Sequence, residues 1–169
     1  MSVKIIKALP KDLPDILRLQ YLAYQSEAEL FGSRDIPPLK ETLSELEDEY
    51  DRGVILKLVT DDNVIIGSVR AHASEDTAYI GKLMVHPDHR KRGYGSMLLS
   101  EIENCFAGMR YELFTSTRSV DNIRLYQKLG YQIFDERKVD SELVFVYMLK
   151  SSEQSGRPAG NYHDISREE

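Results

Sequence analysis

The sequence predicts an α+β fold: a mixed, mostly antiparallel sheet flanked by helices. Three observations predict it. The spacing of apolar residues changes from a helical period to a period of two near Gly53, and back again near Gly93. The strand-like runs between those glycines follow one another at short turns, as in an antiparallel meander. The whole order is strand, two helices, three strands, helix, strand, helix, two strands, which layers helices on a sheet. With 169 residues there is room for one domain with a real core. Residues 1–150 are expected to form it.

The elements follow in order. Val3 to Ala8 reads as a strand. Pro10 and Asp12 mark a turn and a helix N-cap, and Pro14 fits the first helical turn. Leu13, Ile16, Leu17, Gln20, Tyr21 and Tyr24 then recur at helical spacing, so a first helix is expected to run to about Leu30. Gly32 to Pro38 reads as a loop. Leu39, Leu43, Leu46 and Tyr50 give a second helix with an acidic face, ended by Gly53. Val54 to Thr60 and Val64 to His72 are strands joined by Asp61-Asp62-Asn63, and Thr77 to Val85 completes the meander. A helix from Gly93 carries Tyr94, Met97, Leu98, Ile102, Cys105 and Phe106 on one stripe. Tyr111 to Thr115 is a short strand. Asp121 to Leu129 is helical, with Gly130 as its stop. Tyr131 to Phe134 and Leu143 to Leu149 close the sheet. Residues 151–169 are polar and poor in aliphatic side chains, and read as a tail outside the core.

Composition excludes several classes. Twenty-two Lys and Arg stand against 28 Asp and Glu, a net charge of -6, which argues against nonspecific nucleic-acid binding. The single Cys105 excludes an internal disulfide framework and suits a reducing compartment. No apolar run spans a bilayer, and Met1 to Ile6 lacks the apolar core of a secretion signal. A cytoplasmic protein without membrane or nucleic-acid partners is expected. His86 and His89 lack a third ligand, so no metal is expected.

One stretch carries the chemistry. Leu83-Met84-Val85 ends a strand, Pro87 turns it, and Arg90-Lys91-Arg92-Gly93-Tyr94-Gly95-Ser96 leads into a helix. A strand, a loop of free N–H groups and a helix N-terminus together make an anion site. The P-loop pattern G-x-x-x-x-G-K-[ST] is absent. The dinucleotide pattern G-x-G-x-x-G fails because position 98 is Leu98.

The pattern V-x-P-x-x-R-x-x-G-x-G, filled by Val85, Pro87, Arg90, Gly93 and Gly95, resembles the acyl-CoA loop of the GNAT superfamily of N-acetyltransferases. Asn122 to Tyr131 is similar to the family's second CoA-side motif, a helix with a Tyr followed by K-x-G-[FY]. The resemblance covers roughly Val3 to Lys150. It implies a pair of central strands splayed around acetyl-CoA as co-substrate, with no metal. It implies that Leu83, Met84 and Val85 pair with the pantetheine arm, and that Arg90, Lys91, Arg92, Gly93, Tyr94, Gly95 and Ser96 hold the pyrophosphate. Asn122 would hold an amide of the arm, with Ser119 a cap or substitute. Lys128 reads as solvated.

The resemblance also implies direct transfer of the acetyl group to a primary amine in a ternary complex, with Tyr126 protonating the departing thiolate. A core aromatic at that position is the plain structural alternative. The general base stays open. Tyr79 and Gly81 stand where some members carry Glu or His, and Phe114 stands where others carry an acid. Glu112, Glu27 or a chain of waters are the remaining choices. Ser68, Arg70 and His72 alternate on one strand face, lining a cleft or facing water. Tyr21, Tyr24, Glu27, Glu29, Phe31, Arg34 and Asp35 make up the region expected to receive the acceptor. Tyr24, Glu27 and Tyr79 are the substrate-contact candidates, and Arg34 or Arg70 would hold a substrate carboxylate. A small amine is the favoured acceptor. A peptide or protein amine (an N-terminus or lysine) and a non-catalytic acyl-CoA-binding module are the alternatives. The apolar strand Leu143 to Leu149 favours a homodimer.

Overall fold

The computed structural model describes residues 2–151. Apart from Ser151, the tail 151–169 lies outside the described residues. The chain runs β1 (Val3–Lys7), a 3-10 turn (Pro10–Asp12), α1 (Leu13–Ala23), α2 (Gln25–Phe31), α3 (Pro37–Lys40) and α4 (Leu43–Arg52). The meander is β2 (Val54–Thr60), β3 (Ile65–Ser74) and β4 (Thr77–Val85), followed by a second 3-10 turn at Pro87–His89. Then come α5 (Tyr94–Cys105), β5 (Arg110–Ser116), α6 (Val120–Lys128), β6 (Gln132–Lys138) and β7 (Val144–Lys150).

The strands form one seven-stranded sheet in the order β1-β2-β3-β4-β5-β7-β6. Every neighbouring pair is antiparallel except β4 and β5, which are parallel. This is the mixed, mostly antiparallel sheet that the element order predicts. Ile55 and Leu56 are consecutive in β2, so the pleat sends them to opposite faces. Leu56 joins Leu58, Val69, Ile80, Leu98, Leu99 and Ile102 under α5. Ile55 joins Leu13, Ile16, Leu46 and Met84 under α1 and α4. α5 lies close on its face: a Cβ added at Gly67 would come within 3.0 Å of Leu98 Cδ1 and 3.2 Å of Leu58 Cβ.

Several local expectations need correction. The first helix does not run unbroken to Leu30. It breaks at Tyr24, whose φ of -84° and ψ of 2° leave the helical region. Part of the expected loop is helical, because Pro37 sets the φ of a first turn, and Leu39 falls in α3 rather than in the next helix. α4 starts at Leu43, where Thr42 and Glu45 form a reciprocal capping box. Asp12 does not cap α1. Its Oδ2 accepts from the Leu9 N–H at 2.8 Å and pairs with Lys57 Nζ at 2.7 Å. α5 starts at Tyr94, with Gly93 at the cap. β6 begins at Gln132 and extends to Lys138, since the N–H groups of Gly130 and Tyr131 turn back to the Gln127 and Tyr126 carbonyls and close α6.

Candidate functional site

β4 and β5 pair only over Thr77–Tyr79 and Arg110–Glu112. From Ile80 onward β4 keeps β3 on one edge and, among the described residues, has no paired strand on the other. The two strands therefore part in a V. Arg70 pairs with Gly81 and Ser68 with Met84, so Lys82 and Leu83 together face Val69 in a bulge. Lys82 sits at φ 51° there. The expected donor-contact residues Leu83, Met84 and Val85 lie along the open edge. Met84 turns its side chain into the α1–α4 core, so what these residues offer is backbone.

The strand leads into the expected loop. The His86 ring accepts the Asp88 N–H at 3.1 Å and so caps the turn at Pro87. Gly93 stands at the N-cap of α5 with φ 82°, a conformation that strains any residue bearing a Cβ. Among the described residues, no backbone N–H from Arg90 to Ser96 donates to a protein acceptor. These amides and the N-terminal end of α5 form a donor-rich cradle. Lys91 and Arg92 are exposed beside it, and Gly95 and Ser96 are half-buried. Tyr94 packs on the α5 core. A Cβ at Gly95 would rest 3.5 Å from Leu125 Cδ2, so α6 approaches α5 at this point. The Arg90 guanidinium is engaged elsewhere: it donates to the Ala23 carbonyl at 2.8 Å, Ser26 Oγ at 3.1 Å and the Val85 carbonyl at 3.3 Å. Only its main chain faces the cradle free of protein partners.

Tyr24, Glu27, Ser119, Asn122 and Tyr126 meet in a second group. Ser119 Oγ donates to Glu27 Oε2 at 2.7 Å, and Asn122 Nδ2 to Glu27 Oε1 at 3.3 Å. Glu27, read as an acceptor contact, thus ties α2 to the start of α6. Tyr126 is buried in the α5 core, its ring 6.1 Å from that of Tyr131. Burial, helped by the Glu27 carboxylate, pushes its phenol above the ordinary tyrosine range. Burial does the same for Tyr24, with Tyr126 adding to the effect. No protein group among the described residues hydrogen-bonds either hydroxyl.

A cleft of about 550 Å³ opens where the V parts, and its lining includes Tyr79, Gly81, Lys82, Phe114 and Tyr147. Tyr79 is the one substrate-contact candidate within it; Tyr24 and Glu27 lie outside. A Cβ at Gly81 would meet nothing within 4 Å. Phe114 stacks on Tyr147 at 5.3 Å and Tyr79 on His72 at 5.4 Å. Arg70, read as a possible substrate clamp, is already held by Gln20, Glu41 and Glu49. Arg34 does not line the cleft. Glu112 is paired with Arg110 at 3.0 Å.

Four charged residues of the cleft escape a reading of the sequence: Glu49, Arg52, Lys82 and Arg137. The helical spacing of Leu46 and Tyr50 gave the signal that Glu49 flanks a buried face, without saying what lies opposite. No group of three or more His, Cys, Asp or Glu suited to a metal occurs among the described residues. No helix among them is long and apolar enough to cross a membrane.

A family model described as an acetyltransferase (GNAT) domain matches residues 53–133, which hold the meander, the loop, α5, β5 and α6. Three proteins of Bacillus subtilis are similar in sequence. The UPF0157 protein YqkA is 27% identical over 119 residues, 70% of this chain and 34% of its own length. The chain thus spans about a third of that relative. The uncharacterized N-acetyltransferase YjcF is 22% identical over 76% of this chain and 89% of its own. The uncharacterized protein YyaT is 30% identical over 61% and 74%. Among solved structures, the PaiA N-acetyltransferase of Thermoplasma acidophilum in complex with coenzyme A superposes with a TM-score of 0.76 at 19% identity. That match covers 89% of this chain and 99% of the other.

Proposed function

The chain belongs to the GNAT acetyltransferase family, and on that premise we propose that it transfers an acetyl group from acetyl-CoA to the primary amine of a small molecule. The observation that carries this reading is the parted β4–β5 pair leading into a loop of unclaimed amides. The residues fit the donor. The open edge from Ile80 to Val85 can pair with the amides of a pantetheine arm, as an added strand would. The amides of Arg90 to Ser96 can cradle its pyrophosphate, with Lys91 and Arg92 adding charge. Arg90 would hold the loop in place through α1 and α2 rather than touch phosphate. Asn122, in the first turn of α6, would offer its side-chain amide to the arm. The relative from Thermoplasma acidophilum was solved with coenzyme A, and acetyl-CoA supplies the activated thioester carbonyl.

The rest is the work of this chain's residues. As the acceptor nitrogen bonds to the acetyl carbon, the carbon–sulfur bond breaks and the sulfur needs a proton. Tyr126 suits that task because burial keeps its phenol protonated and no protein group among the described residues claims its hydroxyl. The proton that leaves the nitrogen passes to water in the open cleft. A small acceptor fits a cleft of about 550 Å³, within the range of small-ligand sites. The test is acetyl-CoA consumption, read as free thiol, across small amines and peptides. Turnover on a small amine is expected; turnover on peptides alone overturns the acceptor reading. Tight acetyl-CoA binding with no acceptor acetylated makes the chain a binding module instead.

A further inference from the structure

The cleft contains two opposite charges that do not satisfy each other. Glu49 comes from α4 and Lys82 from the bulge of β4, and both line the cleft. Among the described residues Lys82 has no hydrogen bond and no ion pair within 4.0 Å. Glu49 Oε2 is buried and lacks a hydrogen-bond partner, although Arg70 Nε lies 2.5 Å away. A pair in mutual contact would drive a carboxyl down and an ammonium up. The reverse holds here. Burial, with the Glu41 charge adding to it, raises the Glu49 carboxyl, and burial, with the Arg70 charge adding to it, lowers the Lys82 ammonium. Each charge is thus partly desolvated: Lys82 has no counter-charge in contact among the described residues, and Glu49 has only Arg70, which lowers its carboxyl less than burial raises it and which it shares with Glu41. Arg70 does not relieve Lys82, since it is of the same sign and shared between Glu41 and Glu49. Beside the two charges stand the half-exposed rings of Tyr79 and Phe114, 40% and 50% exposed, with Tyr147 behind Phe114.

We propose that the acceptor is a zwitterionic amino acid with an apolar side chain, its carboxylate held by Lys82, its amino group placed beside Glu49, and its side chain laid against Tyr79 and Phe114. A ligand with both charges on one carbon supplies the anion that Lys82 lacks and a second cation for Glu49, whose partner Arg70 is shared with Glu41. A simple amine would satisfy Glu49 and leave Lys82 buried without a partner. That asymmetry is what rejects it, because a site built for a charged group penalises the analogue lacking it. The bulge matters to this design. At φ 51° Lys82 departs from the strand's alternation, so its side chain turns toward the cleft at the point where β4 leaves β5.

This inference rests on the acetyltransferase reading for its chemistry, and its test is separable from it. The full chain, saturated with coenzyme A, is titrated calorimetrically with L-leucine, L-methionine and L-phenylalanine. Isopentylamine, 3-(methylthio)propylamine and phenethylamine, which lack only the carboxylate, are titrated in parallel. At least one amino acid should bind about tenfold or more tighter than its decarboxylated partner. Lys82→Gln should erase that preference, and Lys82→Arg should restore part of it. The proposal is overturned if none of the amino acids binds, if the amines bind equally well, or if Lys82→Gln keeps the preference. Mass detection of the N-acetyl product then tests transfer separately. An amino acid that binds by this rule and is never acetylated sinks the transferase reading alone. An amine acetylated as fast as its amino acid sinks the zwitterion alone.

Discussion

Tyr126 combines two properties that usually exclude each other: burial in the α5 core and a hydroxyl that no protein group among the described residues claims. If it protonates the departing sulfur, Tyr126→Phe should lower kcat about 100-fold or more with little change in the KM for acetyl-CoA. A purely structural tyrosine would instead lower stability and leave kcat per folded molecule near the wild-type value. The sign of its pKa shift gives a second readout. Burial disfavours the phenolate, so the donor stays loaded as pH rises through the ordinary tyrosine range near ~10. The kcat profile should therefore show no alkaline fall in that range, and a fall near pH ~9 that Tyr126→Phe removes would contradict the shift. The residue scale is also where sequence reading divides. Tyr126 stands out in the sequence because the resemblance to a family motif marks its place. Glu27 was legible as a conspicuous carboxylate and not as a strut, since nothing in Gln25 to Phe31 announces that Ser119 and Asn122 lie opposite. Glu49 and Lys82 were illegible for the same reason: their meaning comes from facing each other across 33 residues of chain.

At the scale of elements, order and type follow from period, and the departures follow from single residues. The 3.6-residue stripe of α5 is strong because it buries a continuous face, and the apolar run of β2 because both of its faces are buried, Leu56 and Leu58 under α5 and Ile55 under α1 and α4. The break at Tyr24 is invisible to such a stripe, because Leu17, Gln20 and Tyr24 stay in phase while the backbone leaves the helix. The bulge at Lys82 is invisible too, since it arises from pairing with Val69. Gly93 is the reverse case, a position where the residue dictates the backbone. At φ 82°, Gly93→Ala meets no steric neighbour within 4 Å, yet pays ~1 kcal/mol or more for its left-handed backbone. Either the cost stays in the fold or the loop shifts and misaligns its amides. The expected result is acetyl-CoA affinity reduced about tenfold with a fall in Tm of a few degrees. Unchanged affinity would mean that the amides of Arg90 to Ser96 do not hold the donor. Gly67→Ala tests close packing instead: its Cβ would press on Leu98 and Leu58. It should cost about 1–3 kcal/mol in chemical denaturation while leaving acetyl-CoA affinity per folded molecule intact.

On the scale of the molecule, a sheet whose central strands share only a short parallel pairing needs bracing from outside the sheet. The structure has it on both faces. On the α1–α4 side, Arg90 fastens the loop to the end of α1; from α2, Glu27 holds Ser119 at the start of α6, a helix that packs in the α5 core, and the Leu30 carbonyl accepts from Arg118 at 3.2 Å. On the other side Glu103 of α5, which packs on β2, β3 and β4, reaches across to the far arm of the V. It pairs with Lys150 of β7 at 3.0 Å and accepts from the Tyr131 hydroxyl at 2.8 Å, with Glu103 and Lys150 only 2% and 6% exposed. A carboxylate so deeply buried is tolerable only while its partners remain. Lys150→Met should therefore cost about 3–5 kcal/mol in chemical denaturation, since it strands the Glu103 charge. Glu103→Gln combined with Lys150→Met removes both charges and should cost clearly less than the sum of the two single changes. Because Lys150 lies opposite Tyr111, which still pairs with Ala78, the brace fixes the closed end from which the V opens; the single variant should therefore also gain less stability from saturating coenzyme A than the wild type, as part of the binding energy goes into resetting the gap. If Lys150→Met is destabilised as expected but gains the same increment from coenzyme A, the network is a core fastener only. The width of the V would then be set by the α2 and Arg90 contacts on the opposite face.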